Sequence, residues 1–142
     1  MYNPDLHADG LTRRTRRKLG KHLPETLTAA VPAPILSAVR GRLPSNSGDQ
    51  LAIFWRDEGN WTVLTTTHIA WTRHETTHIM PLSSVLEGYR VCNEAGEFTV
   101  KTELNCVYFG SAVEPVWTPS ASHLAMLLNV LGGVMRKNSD QT

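Results

Sequence analysis

The sequence predicts an α+β fold in which about seven short antiparallel strands lie between helical segments at the two ends of the chain. Between residues 51 and 113, β-prone runs alternate with short turn-forming stretches, which is typical of an antiparallel meander. Over 119–136, apolar residues instead recur at helical spacing, at Leu124, Leu127, Leu128 and Leu131. A single apolar-striped helix after a run of strands predicts a bent sheet or open barrel that the helix closes at one end.

Two helical segments are predicted before the strands. The first is a short helix over RRTRRKLGKHL that begins with Thr12 as its N-cap and ends before Pro24. Regular structure is not expected before it, because four residues there disfavour it: Asn3, Pro4, Asp9 and Gly10. The second helix is predicted over 34–42, where an apolar stripe is formed by Ile35, Leu36, Val39 and Leu43. LPSNSGDQ, at 43–50, then reads as a linker.

The strands are predicted from β-prone runs bounded by turns. They cover 51–57, 61–66, 76–80, 89–93, 98–104 and 106–113, and residues 67–71 either continue the second strand or begin a third. The first two strands form a hairpin around EGN, and 64–71 and 76–80 form one around TRHE. Residues 98–104, the expected partner of 89–93 across the turn EAGE, alternate between two faces, as a half-buried strand does. Thr118 is the expected N-cap of the last helix, with Pro119 in its first turn.

Charge divides the chain unevenly. Residues 1–48 carry a formal charge of +5 and residues 49–142 a charge of −4. We therefore expect a basic N-terminal arm at 1–31, one domain at 32–137 and a frayed tail at 138–142. Neither an apolar run of about 20 residues nor a signal peptide is evident, so a cytoplasmic location is expected, with peripheral attachment at a membrane left open.

A short helix and a loop lead to "GDQLAIFW", with Asp49 as the acidic residue after glycine, and a V-L-T signature follows at 63–65. A step from Ile79 to Ser83 and a closing helix from Pro119 come after it. In these features residues 32–136 resemble a bacterial pleckstrin-homology-like (PH-like) domain. The Asp-Arg pair that commonly follows V-L-T in that family is replaced here by Thr-Thr-His at 66–68, so no role of that arginine carries over.

The resemblance implies a partly open barrel of two packed sheets that a helix caps. It implies no enzyme activity, since members of the family are mostly recognition scaffolds. The expected function is therefore non-catalytic recognition of a protein partner or an anionic membrane surface, with no cofactor.

The basic N-terminal segment is the main candidate for binding a charged ligand. Its cations are Arg13, Arg14, Arg16, Arg17, Lys18 and Lys21. They would attract the phosphates of anionic lipids or, as the alternative function, of nucleic acid. The segment holds no interleaved aromatic residues that would support base stacking. A solvated arm that packs on the domain or on a second copy is the simpler interpretation.

The histidines in TTTHIAWTRHETTHIMP are the candidate metal ligands, although no metal is expected. His74 lies in the predicted turn. If the register places His68 and His78 on one face, Ile69 and Ile79 share the other face and should turn to the core. In the other register the two histidines lie on opposite faces and cannot share a metal. Exposed or edge histidines are therefore expected.

Enzyme chemistry finds little support in the sequence. Ser83, Ser84, Cys92 and Cys106 are present with the histidines, but no local nucleophile signature surrounds them. A small hydrolase or metal enzyme is accordingly the third hypothesis. The two cysteines lack CxxC spacing and are expected to be half-buried thiols, with a disulfide as the lesser alternative.

Overall fold

The structure, a computed structural model, describes residues 3–110 and 112–140, and the side chains of all of these except 4, 5 and 135–140. It has three α-helices: α1 (Pro4–His22), α2 (Ala33–Arg40) and α3 (Ala121–Asp140). Between α2 and α3 lie seven strands: β1 (Gln50–Asp57), β2 (Asn60–Thr65), β3 (His68–Arg73), β4 (Thr76–Pro81), β5 (Tyr89–Cys92), β6 (Cys106–Phe109) and β7 (Val116–Trp117). Short 3₁₀ helices connect several of these elements, and the longest of those described is the six-residue Leu82–Glu87.

The strands form two antiparallel sheets. The first sheet is the meander β1-β2-β3-β4 and the second is β5-β6-β7. The predicted α+β class is therefore confirmed, with helices at both ends, whereas the described residues do not form one closed barrel. The hydroxyl of Thr62 on β2 donates to the carbonyl of Trp117 on β7, which links the two sheets directly.

The first sheet is covered on both faces. Ile69 and Trp71 belong to the larger core, which lies between the sheets and includes residues of α1 and α3. Ala70, which points to the opposite face, packs in a smaller core with Val39 of α2. Two covered faces explain why β2 and β3 are buried almost throughout, polar threonines included, with little of the alternation in burial that marks a half-exposed strand.

The helix α1 begins earlier than predicted. The predicted N-cap Thr12 lies in its third turn, where its hydroxyl donates to the carbonyl of Ala8. The carbonyl of Asn3 accepts from the amides of Leu6 and His7, so the helix starts there. Pro4 is tolerated because the first turn needs no amide donor from it. Gly10 lies in the helix interior at only a modest cost in conformational entropy.

Residues 98–104 do not form the predicted strand. The segment is irregular apart from a 3₁₀ turn at Lys101–Glu103, and Phe98 and Val100 are exposed. The partner of β5 is instead β6, with Tyr89 opposite Phe109. The strand predicted over 106–113 ends at Phe109, before Gly110 with its φ of +57°. The two-residue strand β7 was not predicted.

The last helix starts later and runs longer than predicted. It begins at Ala121, and the hydroxyl of Ser120, not that of Thr118, accepts the amide of His123 as an N-cap does. Thr118 instead donates its hydroxyl to the carbonyl of Asn105. The helix reaches Asp140, so residues 138–140 of the predicted tail are helical, and 141–142 lie outside the described residues.

Candidate functional site: the exposed face of the first helix

One side of α1 is part of the main core. Leu11 and Leu19 are buried there, and Thr15 between them is buried as well. The Thr15 hydroxyl donates to the carbonyl of Leu11, so its burial leaves no unpaired donor. The predicted boundary after residue 31 stays a prediction, but the helix itself is fixed to the domain by its apolar side.

Arg14 links α1 to α3. Its guanidinium donates to the carbonyl and the side-chain oxygen of Asn129 on α3, at 2.8 to 3.2 Å. Gly133, one turn further along α3, makes this approach possible, because an added Cβ there would lie 2.8 Å from the Arg14 Cδ. Lys18 is half-buried on the same flank. These two predicted cations therefore border the contact between the helices.

The remaining four predicted cations form the outward side of α1. Arg13, Arg16, Arg17 and Lys21 are all exposed, and we call this set the basic face. Arg13, Arg17 and Lys21 follow each other at intervals of one turn, so their Cα atoms span about 12 Å along the helix axis. Leu6, two turns before Arg13 on the same side, is 71% exposed.

No ion pair with a side chain that the structure describes neutralises the positive charge of the basic face. Among the side chains that the structure describes, the one ion pair within 4.0 Å joins Arg56 and Glu94, at 2.9 Å, far from α1 in the sequence. Asp9 precedes Arg13 by one turn and reduces the local charge, but it lies beyond ion-pairing distance. The basic face is therefore available to an anionic partner.

The three histidines do not form a site. His68 lies opposite Pro81 and His78 opposite Trp71, so the two histidines point to opposite faces of the sheet. The imidazole of His78 stacks on Trp71 with ring centroids 5.3 Å apart, and His68 Nδ1 lies 2.6 Å from the Thr67 hydroxyl. His74 is exposed in the turn, as predicted. Over the described part of the chain, no group of three or more histidine, cysteine or acidic side chains could hold a metal.

Ile69 and Ile79 differ in burial because the same register places them on opposite faces of the sheet. Ile69 is fully buried, whereas Ile79 is 39% exposed, so the register that would place both isoleucines in the core is wrong. The observed register is the alternative in which His68 and His78 are separated by the sheet. Both histidines are half-buried; the expectation was exposed or edge histidines, and His78 does lie on the edge strand β4, whereas His68 begins the interior strand β3.

A second polar cluster joins the two sheets at one end. Glu94 accepts hydrogen bonds from Arg56 on β1 at 2.9 Å and from the Trp117 indole on β7 at 2.7 Å, and Arg56 also lies over the Trp117 ring. Burial acts to raise the pKa of Glu94, but these hydrogen bonds and the charges of Arg56 and Arg73 together lower it. Sequence reasoning missed this cluster, because Glu94 reads only as a turn residue in EAGE.

Comparison with known proteins adds no family to this description. No family model, no curated protein and no solved structure matches the chain. Within the described residues, none of the helices combines the length and the apolar character needed to cross a bilayer.

Proposed function

We propose that this protein is a non-catalytic recognition domain whose basic face binds an anionic membrane surface. The observation that carries the proposal is the row of exposed cations Arg13, Arg17 and Lys21, with Arg16 beside it, on a helix whose other side is buried. A helix fixed in this way presents its charges without having to fold on binding, so the contact avoids the entropy cost of ordering the backbone.

Charge complementarity favours a lipid surface as the partner. Each lysine or arginine near an anionic leaflet contributes about 1 kcal/mol of binding, so the four cations together supply about 4 kcal/mol. Leu6 lies on the same side of the helix and is exposed, and a leucine at that place can enter the headgroup region as cations approach phosphates.

We further propose that the fold is PH-like. A four-stranded meander, a second sheet of three strands and a C-terminal helix in the core support this assignment, as does the resemblance over 32–136. The assignment concerns the scaffold alone, because a fold by itself does not specify a ligand. The proposed membrane contact uses α1, which precedes the part of the chain that the resemblance covers.

The test is co-sedimentation of the whole chain with phosphatidylcholine vesicles, with and without phosphatidylserine. The variant R13Q/R17Q removes two charges from the basic face. The matched control R40Q/K101Q removes two exposed charges elsewhere. Because two cations contribute about 2 kcal/mol, R13Q/R17Q should weaken partitioning onto the anionic vesicles about 30-fold, whereas the control should resemble the wild type.

Two results would overturn the membrane proposal. One is equal pelleting with both kinds of vesicle, and the other is an equal loss in the two double variants. A parallel titration with duplex DNA at several salt concentrations separates the alternative. Salt-dependent DNA binding that needs Arg13 and Arg17, without binding to anionic vesicles, would assign the basic face to nucleic acid.

A further inference from the structure

The second sheet holds its two cysteines directly across from each other. Cys92 on β5 is the register partner of Cys106 on β6, and Cys106 in turn lies opposite Trp117 on β7. Opposed residues of an antiparallel pair project their side chains from the same face. The cysteines are 3% and 0% exposed and belong to the core between the sheets. Both are free thiols in this structure.

This position satisfies the main geometric requirement of a disulfide. Opposed residues have Cα atoms about 4.5 or 5.5 Å apart, depending on whether the pair exchanges hydrogen bonds. Disulfides bridge Cα separations of about 4.4 to 6.8 Å. Both possibilities fall inside that range, so the two sulfur atoms can bond through side-chain rotation with little backbone movement.

The pair is also close to an opening in the surface. Arg73 of β3 reaches between the sheets, where its Nη1 lies 3.9 Å from the Cys106 sulfur. The same arginine lines a pocket of about 170 Å³, together with Glu94 and Tyr108 among others. Arg73 therefore contacts both the Cys106 sulfur and this pocket. The Arg73 Nε is buried there without a hydrogen-bond partner, which marks this contact as incompletely satisfied.

We propose that Cys92 and Cys106 form a reversible cross-strand disulfide site that low-molecular-weight disulfides oxidise. One cysteine loses its proton and attacks a sulfur atom of the reagent, which releases one thiol and leaves a mixed disulfide. The second cysteine then attacks the protein sulfur of that mixed disulfide and releases the second thiol. Two electrons and two protons leave the cysteine pair, and the reagent is reduced to two thiols.

The disulfide would close a defined loop. The segment between the two cysteines, 93–105, holds Phe98, which is 80% exposed, and it makes no strand of its own. Cross-linking a loop of about 15 residues restricts the unfolded chain by about 3 kcal/mol, which corresponds to a factor of about 100 in an equilibrium constant. The folded chain should therefore favour the disulfide about 100-fold more than the unfolded chain does.

The experiment measures that ratio with oxidised and reduced glutathione as the redox pair. The reduced chain is equilibrated over a series of glutathione ratios, both in native buffer and in concentrated urea, and is then acid-quenched and weighed by mass spectrometry. Native equilibrium is approached from the reduced chain, from the oxidised chain and by refolding within the redox buffer, so slow access to the buried thiols cannot hide the end point. The internal disulfide weighs two hydrogen atoms less than the dithiol.

A midpoint shifted about 100-fold towards the disulfide in native buffer is the expected result. Equal midpoints in native buffer and urea would overturn the proposal, and so would glutathione adducts or linked dimers as the main native products. Chymotrypsin provides a second measurement, because cleavage after Phe98 should give fragments that separate only after reduction. The variants C92A and C106A should each give glutathione adducts or unreacted thiol, and the wild-type comparison does not depend on whether they fold.

Discussion

The docking of α1 is tested by replacing Leu19 with alanine. Leu19 is 1% exposed and lies in the main core. The substitution removes three buried carbon groups at about 0.8 kcal/mol each and leaves part of their volume as a cavity, so we expect a loss of about 3 kcal/mol in the free energy of unfolding. Leu6→Ala is the matched control, because Leu6 lies in the same helix but is 71% exposed.

Urea unfolding followed by circular dichroism measures both variants. Leu6→Ala should stay within about 0.5 kcal/mol of the wild type, and the urea dependence of the free energy should be similar in all three proteins. If Leu19→Ala were as mild as Leu6→Ala, the packing of α1 described above would be wrong. The result also matters for the test of the proposed membrane contact. Deleting residues 1–22 would remove core side chains together with the charges, so it would change stability and charge at once. Substitutions on the basic face remove charge and leave the core side chains in place.

Two further predictions concern a strained turn and an inter-sheet carboxylate. Gly48→Ala should destabilise the fold by about 2 kcal/mol, because Gly48 has a φ of +85° and an added Cβ would lie 2.6 Å from the Thr66 hydroxyl oxygen. Gly10→Ala is the control, since nothing lies within 4 Å of an added Cβ there, and it should stabilise the fold by about 0.5 to 1 kcal/mol in the same urea assay. Glu94→Gln should cost less than about 1 kcal/mol at pH 7, since the ion pair with Arg56 is largely exposed. Because folding lowers the pKa of Glu94, its ionised form contributes stability above pH 4.5 that is lost as the pH falls through the pKa of the folded protein. The free energies of unfolding of wild type and variant, measured from pH 7 to about pH 3, should therefore converge in acid. A difference in stability that widens in acid would contradict this role of Glu94.

The strands of the first sheet were predictable because local patterns and tertiary structure agree there. The run LAIFWRD and the run WTVLTT became β1 and β2, with Trp55 opposite Trp61 around the predicted turn. The α2 stripe was equally readable, since Val39 is fully buried and its neighbours at helical spacing pack beside it. In the two strands a continuous β-prone run bounded by turns indicates the element, and in α2 the apolar periodicity also indicates the buried side.

The extent of α1 could not be read from the same signal. Its buried side consists of Leu11, Thr15 and Leu19, and a threonine in that stripe reads as polar until its hydroxyl is seen to bond the carbonyl of Leu11. For residues 98–104 the pattern instead predicted an element that does not form. Its alternation is regular, but β6 already pairs with β5, and alternation alone does not supply the hydrogen-bonding partner that a strand requires.

Whether His68 and His78 share a face of the sheet depends on the length of the β3–β4 turn, which the sequence does not reveal. Arg73 pairs with Thr76, so the hairpin closes through the two residues His74 and Glu75, both with positive φ, at 50° and 68°. Two-residue turns of this kind normally carry asparagine or glycine, so TRHE suggests a longer loop. Changing the loop by one residue would exchange the faces of every side chain on one strand relative to the other. The short turn therefore separates His68 from His78, stacks His78 on Trp71 and leaves Ile79 exposed. With the histidines apart, the basic face of α1 is the candidate binding surface.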